Sequence, residues 1–127
     1  MRHEALELIP DSLEAERDLQ VFFTVVNAWG VRNCHAQGLL GYPDQKAYYQ
    51  WKRGFCTSVP RSVLDRIAIV RTIDRVRQTV YWSDAEWIRW LDSPNRLLNK
   101  VAPIEHMANT SIEGLVEFRG LLQRLRS

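Results

Sequence analysis

Apolar residues recur every three or four positions along most of the chain, which is the spacing of one helix face. The longest such stripe spans residues 61–81, and its members are Val63, Leu64, Ile67, Val70, Ile73, Val76 and Val80. Another stripe begins at Leu13 and stops before Gly30, a residue type that commonly ends helices. No segment shows the period-two alternation of a convincing strand, so the pattern predicts an all-α fold.

Turn and cap residues divide the remaining sequence into shorter helices. Gly41 and Gly54 flank one of them, and Asp44 is expected to cap its first turn. Capping-box patterns at residues 11–14, 83–86 and 110–113 mark three further helix starts, and Pro103 suits a first helical turn. The predicted short helices are 33–40, 45–53, 83–91 and 103–107, and a final helix covers 111–126.

Residues 93–98 read Ser-Pro-Asn-Arg-Leu-Leu and lie between two of these helices. Pro94 ends the preceding helix, because its ring blocks helical geometry at the residue before it and it has no N–H. Asn95 offers a short side chain that can bond nearby backbone groups. We therefore predict a structured turn here (the 93–98 turn), and none of its residues suggests catalysis.

The distribution of charge along the chain is more informative about function than the overall composition. The 127 residues are 46% hydrophobic with a formal net charge of +2, which is ordinary for a globular protein. Residues 31–82, however, hold nine Lys and Arg against three Asp. A basic segment of this kind is typical of DNA-binding proteins, although a solvated helix face would have the same composition.

The two cysteines lack the spacing of a zinc site or a disulfide framework. Free thiols indicate a reducing compartment. No signal peptide is visible after Met1, and the longest apolar run is too short to cross a bilayer. We therefore expect a cytoplasmic protein with no membrane contact.

Residues 39–54 resemble a helix-turn-helix. Gly41 suits the tight turn, while Ala47, Tyr48 and Trp51 could lock the second helix against the first. The other face of that helix would enter the major groove, where Gln can read adenine and Lys can serve guanine or phosphate. The predicted DNA-binding residues are Gln45, Lys46, Tyr49, Gln50, Lys52 and Arg53. Arg61 and Arg66 could add phosphate contacts. A degenerate module that only supports dimerisation is the alternative.

Nothing in the sequence favours catalysis. The three histidines share no ligand spacing, and neither a Gly-rich phosphate loop nor a Ser/His/Asp arrangement is present. Cys34 and His35 are adjacent, so on a helix their side chains would point about 100° apart. We expect no enzyme activity, no cofactor and no metal.

The final helix carries a wide apolar arc. Ile112, Leu115, Val116, Leu122 and part of Phe118 could face the core, while Leu121 and Leu125 extend the arc around the helix. Such an arc indicates a second buried face, in a dimer or against a partner protein. The alternative is that this chain's own core covers both faces.

Three stretches carry a resemblance to a known family. They are Trp90-Leu91-x-x-Pro94-Asn95-x-x-Leu98, then Ala102-Pro103-Ile104, then Gly114-x-Val116 followed by Leu122. Together, over about residues 83–127, they resemble the C-terminal toxin-binding domain of the Xre/MbcA/ParS antitoxins. Many members carry Gly-Gly after the leucine of the turn, where this chain has Asn99-Lys100, and many have a Gly where this chain has Asn109-Thr110.

This resemblance implies a division into an Xre-like helix-turn-helix module, residues 1–82, and a toxin-binding domain, residues 83–127. It implies packing of the two through the long central helix. Antitoxins of this family neutralise RES-domain toxins, which consume NAD, by covering the active site with their C-terminal region. By position, the implied toxin-binding residues are Arg119, Leu122, Gln123, Arg124, Leu125, Arg126 and Ser127.

The expected function is thus that of a type II antitoxin that binds a RES-domain toxin and its own operator DNA. Since such operators usually have two half-sites, a homodimer or a hetero-oligomer with the toxin is expected. The alternative is a stand-alone helix-turn-helix regulator whose C-terminal domain only dimerises. A pure protein-interaction module with an inactive helix-turn-helix is a further possibility.

Overall fold

The computed structural model describes residues 12–80 and 82–126, and these residues form seven α-helices and one 3-10 helix. The helices are α1 Ser12–Ala28, α2 Asn33–Leu39, α3 Gln45–Lys52, α4 Arg61–Thr79, α5 Asp84–Leu91, the 3-10 helix Arg96–Leu98, α6 Pro103–Ala108 and α7 Ile112–Arg126. Among the described residues, the only strand-like feature is an isolated bridge between Asn95 and Val101. The all-α prediction is therefore confirmed.

Helix α4 is the centre of the molecule. It packs against α1 on one side and α7 on the other, and it also touches α2. Its fully buried apolar residues are Val63, Leu64, Ile67, Val70 and Ile73, which belong to the predicted stripe. Helix α2 packs on α6, and α3 packs on α1, so the core continues from the first described helix to the last.

Tryptophans fill the core around α5. Trp87 is fully buried, and its ring lies 5.3 Å from that of Trp29 and 5.5 Å from that of Trp90. The ring of Trp90 also lies 6.0 Å from that of Phe118 on α7. These aromatic contacts join residues on both sides of position 82 into one apolar cluster.

Several helix boundaries differ from the predicted ones by one or two residues. Helices α2 and α3 each end one residue earlier, and α4 ends at Thr79. The capping box at residues 83–86 is present, with both reciprocal bonds between Ser83 and Glu86. The box at 110–113 is wrong in register, because Ser111 Oγ accepts the bond from the Gly114 N–H, at 3.1 Å. The box at 11–14 lies partly outside the described residues.

Two arginines on α4 are buried, and the apolar pattern did not reveal them. Arg77 sits on the core stripe and pairs with Asp74 and Asp84, at 3.1 and 2.8 Å. Arg66 donates to three backbone carbonyls inside the fold. The expectation that Arg66 contacts phosphate is therefore wrong, since its Nε and Nη2 groups already donate to carbonyls and the side chain is buried. Val116, expected in the core, is instead exposed.

Candidate functional site

The turn before α3 is built from residues with left-handed backbone. Gly41 has φ 88° and Tyr42 has φ 58°. A Cβ at position 41 would also approach Arg66 Cδ to 3.2 Å, so glycine suits this position for two reasons. Asp44 then caps the helix as predicted, with Oδ2 accepting from the Ala47 N–H at 3.3 Å. These features set where α3 begins.

Helix α3 is anchored mainly to α1, whereas the sequence pattern suggested that it would lock against α2. The buried Tyr48 ring makes an edge contact with Phe23 of α1, at 5.6 Å between centroids. Tyr48 Oη also donates to Asn33 Oδ1 at 2.8 Å. The indole N–H of Trp51 donates to the carbonyl of Thr57, at 3.2 Å. The inward face of α3 is thus fixed by both apolar and polar contacts.

The outer face of α3 consists of Gln45, Lys46, Tyr49, Lys52 and Arg53, all exposed, while Gln50 is half-buried. Lys52 Nζ donates to Asn33 Oδ1 at 2.7 Å, which holds this cation near the start of α2. Of the six predicted DNA-binding residues, five therefore share an open surface. Arg61, predicted as a phosphate contact, instead pairs with Glu14, at 3.2 Å from Nη1 to Oε2.

Phe55 is an exposed aromatic residue at the C-terminal end of α3 that the sequence pattern did not reveal. Gly54, at φ 101°, turns the chain, and the Phe55 N–H reaches back to the Gln50 carbonyl at 2.9 Å. A glycine with positive φ, followed by an N–H that bonds back to the last helical turn, is the Schellman motif that ends many helices. Because Phe55 lies beyond the helix, helical periodicity says nothing about its exposure.

The pKa of Tyr48 is raised to about 12, chiefly by burial and to a smaller extent by the neighbouring Tyr49 and Cys34. The same cause, burial, raises the pKa of the Cys56 thiol, with a smaller effect of Glu16. Both groups line an open groove of about 580 Å³ between α1 and α3. Raised pKa values keep both groups protonated at neutral pH, which is the opposite of an activated nucleophile.

Helix α7 packs on α4, and its buried residues are Leu115, Phe118 and Leu122. Leu122 is fully buried, so it is a core residue and cannot itself contact a partner while α7 stays packed. Arg119 is also directed toward α4, where its Nη1 donates to Thr72 Oγ1 at 2.9 Å. Both residues thus hold α7 in place, which removes Leu122 from the predicted toxin-binding set.

The remaining predicted toxin-binding residues that the structure describes, Gln123, Arg124 and Leu125, are all exposed. Leu125 is 46% exposed, next to a cationic side chain. We call residues 123–125 the α7 end. The side chain of Arg126 and the whole of Ser127 lie outside the described residues.

The 93–98 turn continues into a closed loop. Asn95 Oδ1 accepts from the Leu97 N–H at 2.9 Å, and the Asn95 N–H donates to the Val101 carbonyl at 3.1 Å. Asn99 and Lys100 both have left-handed backbone, at φ 57° and 67°. Residues 95–101 therefore form a defined loop, as the sequence predicted for its first half.

Within residues 12–80 and 82–126, no cluster of three or more His, Cys, Asp or Glu side chains could hold a metal ion. In the same part of the chain, no helix is long and apolar enough to cross a bilayer.

Comparison with known proteins gives a distant relative. No protein-family model matches the chain, and no solved structure matches it. The chain is 20% identical over 116 residues to the uncharacterized protein y4oB of Sinorhizobium fredii (strain NBRC 101917 / NGR234). That alignment covers 91% of this chain and 89% of the relative.

Proposed function

We propose that this chain is the antitoxin of a type II toxin–antitoxin pair. In this proposal it binds a RES-domain, NAD-consuming toxin and inhibits it by covering the active site with its last helix. The observation that carries the proposal is the backbone at Asn99 and Lys100. Both residues adopt the left-handed conformation that favours glycine, at the two positions where many of the resembling antitoxins carry Gly-Gly.

The exposure of the α7 end supports the inhibitory role. Arg124 is exposed beside Gln123 and Leu125. A toxin that consumes NAD must admit the dinucleotide to its active site, so the α7 end seated over that site would exclude the substrate sterically, while Arg124 could pair with carboxylates at the rim of the site. The exposed Leu125 would add apolar burial to that contact.

The outer face of α3 supports a second activity, operator binding by a homodimer. Gln45, Lys46, Tyr49, Lys52 and Arg53 lie together on an exposed helix face, which is the arrangement needed for base and phosphate contacts. The same observation favours the alternative proposal, a stand-alone helix-turn-helix regulator whose C-terminal part only dimerises. Both readings place the protein in the cytoplasm, which suits its two free cysteines.

Inhibition of a purified toxin tests the first proposal. The proposal requires a RES-domain protein encoded beside this chain, and that protein would be assayed for NAD consumption with increasing amounts of the purified chain. We expect wild-type chain to stop NAD consumption near an equimolar ratio. An Arg124→Glu/Leu125→Asp variant should need at least about tenfold more protein, because it loses one charge contact and one apolar contact.

The matched control is Arg75→Glu, an exposed charge reversal on α4 that should inhibit like wild type. A chain cut at Glu117 would be a poor test, since it also removes Phe118 and Leu122 from the core. If wild-type chain leaves NAD consumption unchanged, the antitoxin proposal is wrong. If the double variant inhibits as well as the wild-type chain, the toxin contacts another surface.

Operator binding is tested by fluorescence anisotropy with the DNA upstream of the chain's own gene. We expect Lys46→Glu/Arg53→Glu to weaken binding and to lower the slope of log affinity against log salt by about 2, one unit for each lost phosphate contact. Binding with an unchanged salt slope would exclude these two residues from the interface. DNA binding without any effect on the toxin would favour the stand-alone regulator.

A further inference from the structure

Asn33, the first residue of α2, is a shared hydrogen-bond acceptor at the edge of α3. Its Oδ1 accepts from Tyr48 Oη at 2.8 Å and from Lys52 Nζ at 2.7 Å. Because the Tyr48 ring is buried in the core, its hydroxyl fixes the place of the Asn33 amide. Lys52 is held in turn by that amide, so it has lost part of its side-chain freedom before any ligand binds, which lowers the entropy cost of binding.

The chemistry of lysine determines which way the Asn33 amide faces. An ammonium group only donates hydrogen bonds, so the Asn33 atom that lies 2.7 Å from Lys52 Nζ must be the oxygen. The amide nitrogen is therefore on the other side, and its two N–H groups form no hydrogen bond within residues 12–80 and 82–126. Both side chains are exposed. The Asn33 N–H groups and the Lys52 ammonium thus form a fixed set of neighbouring donors that is open to solvent.

The cations of α3 lack carboxylate partners. On α4, Arg61 pairs with Glu14 at 3.2 Å. By contrast, Lys46, Lys52 and Arg53 form no ion pair with any residue in the described part of the chain. Exposed cations that are not neutralised by their own chain attract anions. The surface around α3 therefore carries uncompensated positive charge.

Helical geometry divides these cations between two flanks of α3. At about 100° per residue, Lys52 lies about 60° from Tyr49 on the side that faces the start of α2. Lys46 lies about 60° from Tyr49 on the opposite side, and Arg53 lies about 40° from it on that same side. A helix about 10–12 Å across fills a major groove about 12 Å wide, so its two flanks face the phosphates of opposite strands.

We propose that Asn33 and Lys52 together bind a phosphate on one strand of the operator, while Lys46 and Arg53 bind phosphates on the other strand. This inference rests on the proposed operator binding and adds to it a contact from α2. Duplex DNA fits the arrangement, because it offers phosphates on both sides of an inserted helix. Phosphate contacts carry no sequence information, so these contacts fix the orientation of α3 in the groove and do not select bases.

The variant Asn33→Asp tests this contact without removing the shared acceptor. It keeps an oxygen for Tyr48 and Lys52, so the fold is preserved, but it replaces the outward N–H groups by a carboxylate oxygen that repels phosphate. We expect operator affinity, measured by fluorescence anisotropy with the full chain, to fall at least about tenfold. The matched control is Gln123→Glu, which makes the same change of charge on the exposed α7 end and should bind within about twofold of wild type.

A second variant, Lys52→Gln, leaves the bond between Tyr48 and Asn33 in place. It should lower the slope of log affinity against log salt by about 1, because one phosphate contact is lost. Thermal unfolding of both variants checks that each remains folded. If Asn33→Asp proves unstable, Lys52→Gln alone carries the comparison.

Neutral methylphosphonate groups, placed one at a time along each operator strand, identify the phosphates involved. For wild-type chain, a neutral group at the phosphate bound by Asn33 and Lys52 should weaken binding about tenfold. For Lys52→Gln the same group should have little effect, because that contact is already lost. For Lys46→Gln, the phosphate that becomes insensitive should lie on the opposite strand.

The outcomes separate this inference from the proposed operator binding. Equal operator affinity of Asn33→Asp and Gln123→Glu, or an unchanged salt slope in Lys52→Gln, would overturn the inference while operator binding stands. Insensitive phosphates for Lys46→Gln and Lys52→Gln on the same strand would overturn the assignment of the two flanks. If wild-type chain does not bind the operator at any salt concentration, the inference and the operator-binding proposal both fall.

Discussion

At the residue scale, the guanidinium of Arg66 joins two parts of the chain that are far apart in sequence. Its Nε donates to the Leu39 carbonyl at 2.6 Å, and its Nη2 donates to the carbonyls of Gly38 and Thr110 at 3.1 and 3.0 Å. Burial lowers the pKa of Arg66, yet arginine stays charged. The end of α2 and the turn before α7 are therefore tied to α4 by one side chain.

Removing this side chain should destabilise the fold. We expect Arg66→Ala to lower the free energy of unfolding by about 3 kcal/mol, since charge-assisted bonds are lost and buried carbonyls are left without donors. Arg66→Lys should restore only part of this, because one ammonium cannot reproduce the planar fork. Urea denaturation measures the loss, with exposed Arg75→Ala as the control. A loss below about 0.5 kcal/mol in Arg66→Ala would contradict this role.

The buried phenol of Tyr48 should make stability depend on alkaline pH. Its pKa is about 12 in the folded chain and about 10 when exposed. The folded chain therefore keeps a proton that the unfolded chain releases, so this contribution is complete below pH 10 and is lost as pH rises toward 12. A difference of two pKa units corresponds to about 2.7 kcal/mol above pH 12, of which roughly half is lost by pH 11. Urea denaturation from pH 9 to 11 should show that the free energy of unfolding falls more steeply in wild type than in Tyr48→Phe. Parallel declines in the two proteins would refute this role of Tyr48.

Burial of Arg66 and Arg77 shows where residue-level prediction from sequence stops. Both arginines fall among the apolar positions of α4, but a charged residue is buried only if partners from elsewhere meet it. The partners of Arg66 come from α2 and from the turn at Thr110, and periodicity within α4 contains no information about either.

At the element scale, most helices could be predicted because their ends are marked locally. Asp44 and Ser83 cap where expected, and Gly30 and Gly54 turn the chain with positive φ. The start of α7 was placed wrongly by one cap position because Thr110 and Ser111 are both good cap residues. The Thr110 carbonyl accepts a bond from Arg66 of α4, and the Thr110 side chain occupies the space that a Cβ at Gly114 would need. The first of these contacts is long-range, so a local pattern does not contain it.

Two helical glycines give opposite predictions at this scale. A Cβ at Gly38 of α2 would collide with the backbone and Cβ of Ala108 on α6, whereas a Cβ at Gly120 of α7 would meet only Arg124 Nη1, at 3.7 Å. We expect Gly38→Ala to destabilise the chain by about 1–3 kcal/mol through overpacking. Gly120→Ala should stabilise it by about 0.5–1 kcal/mol through helix propensity. Thermal and urea unfolding measure the change in stability caused by each substitution. Equal effects of the two substitutions would mean that α2 and α6 are not in close contact.

At the scale of the whole molecule, one central helix carries both candidate surfaces. Helix α4 supports α1, on which α3 rests, and it supports α7 on another side. The sequence could predict the exposed face of α3 because amphipathic spacing within one helix determines it. On α7 the apolar pattern correctly placed Leu122 toward the core and Leu125 on the flanking arc, but it also placed Val116 in the core, whereas the structure exposes it. Helical periodicity likewise could not predict that Leu97 is exposed while the adjacent Leu98 is half-buried.

The central claim is that this chain neutralises an NAD-consuming toxin, and cellular NAD tests it most directly. The neighbouring open reading frame would be expressed alone, with this chain, and with the Arg124→Glu/Leu125→Asp variant, while NAD and growth are followed. We predict that NAD falls and growth stops with the neighbour alone, that wild-type chain restores both, and that the variant restores them poorly. A harmless neighbour, or a neighbour that depletes NAD equally with and without this chain, would contradict the claim.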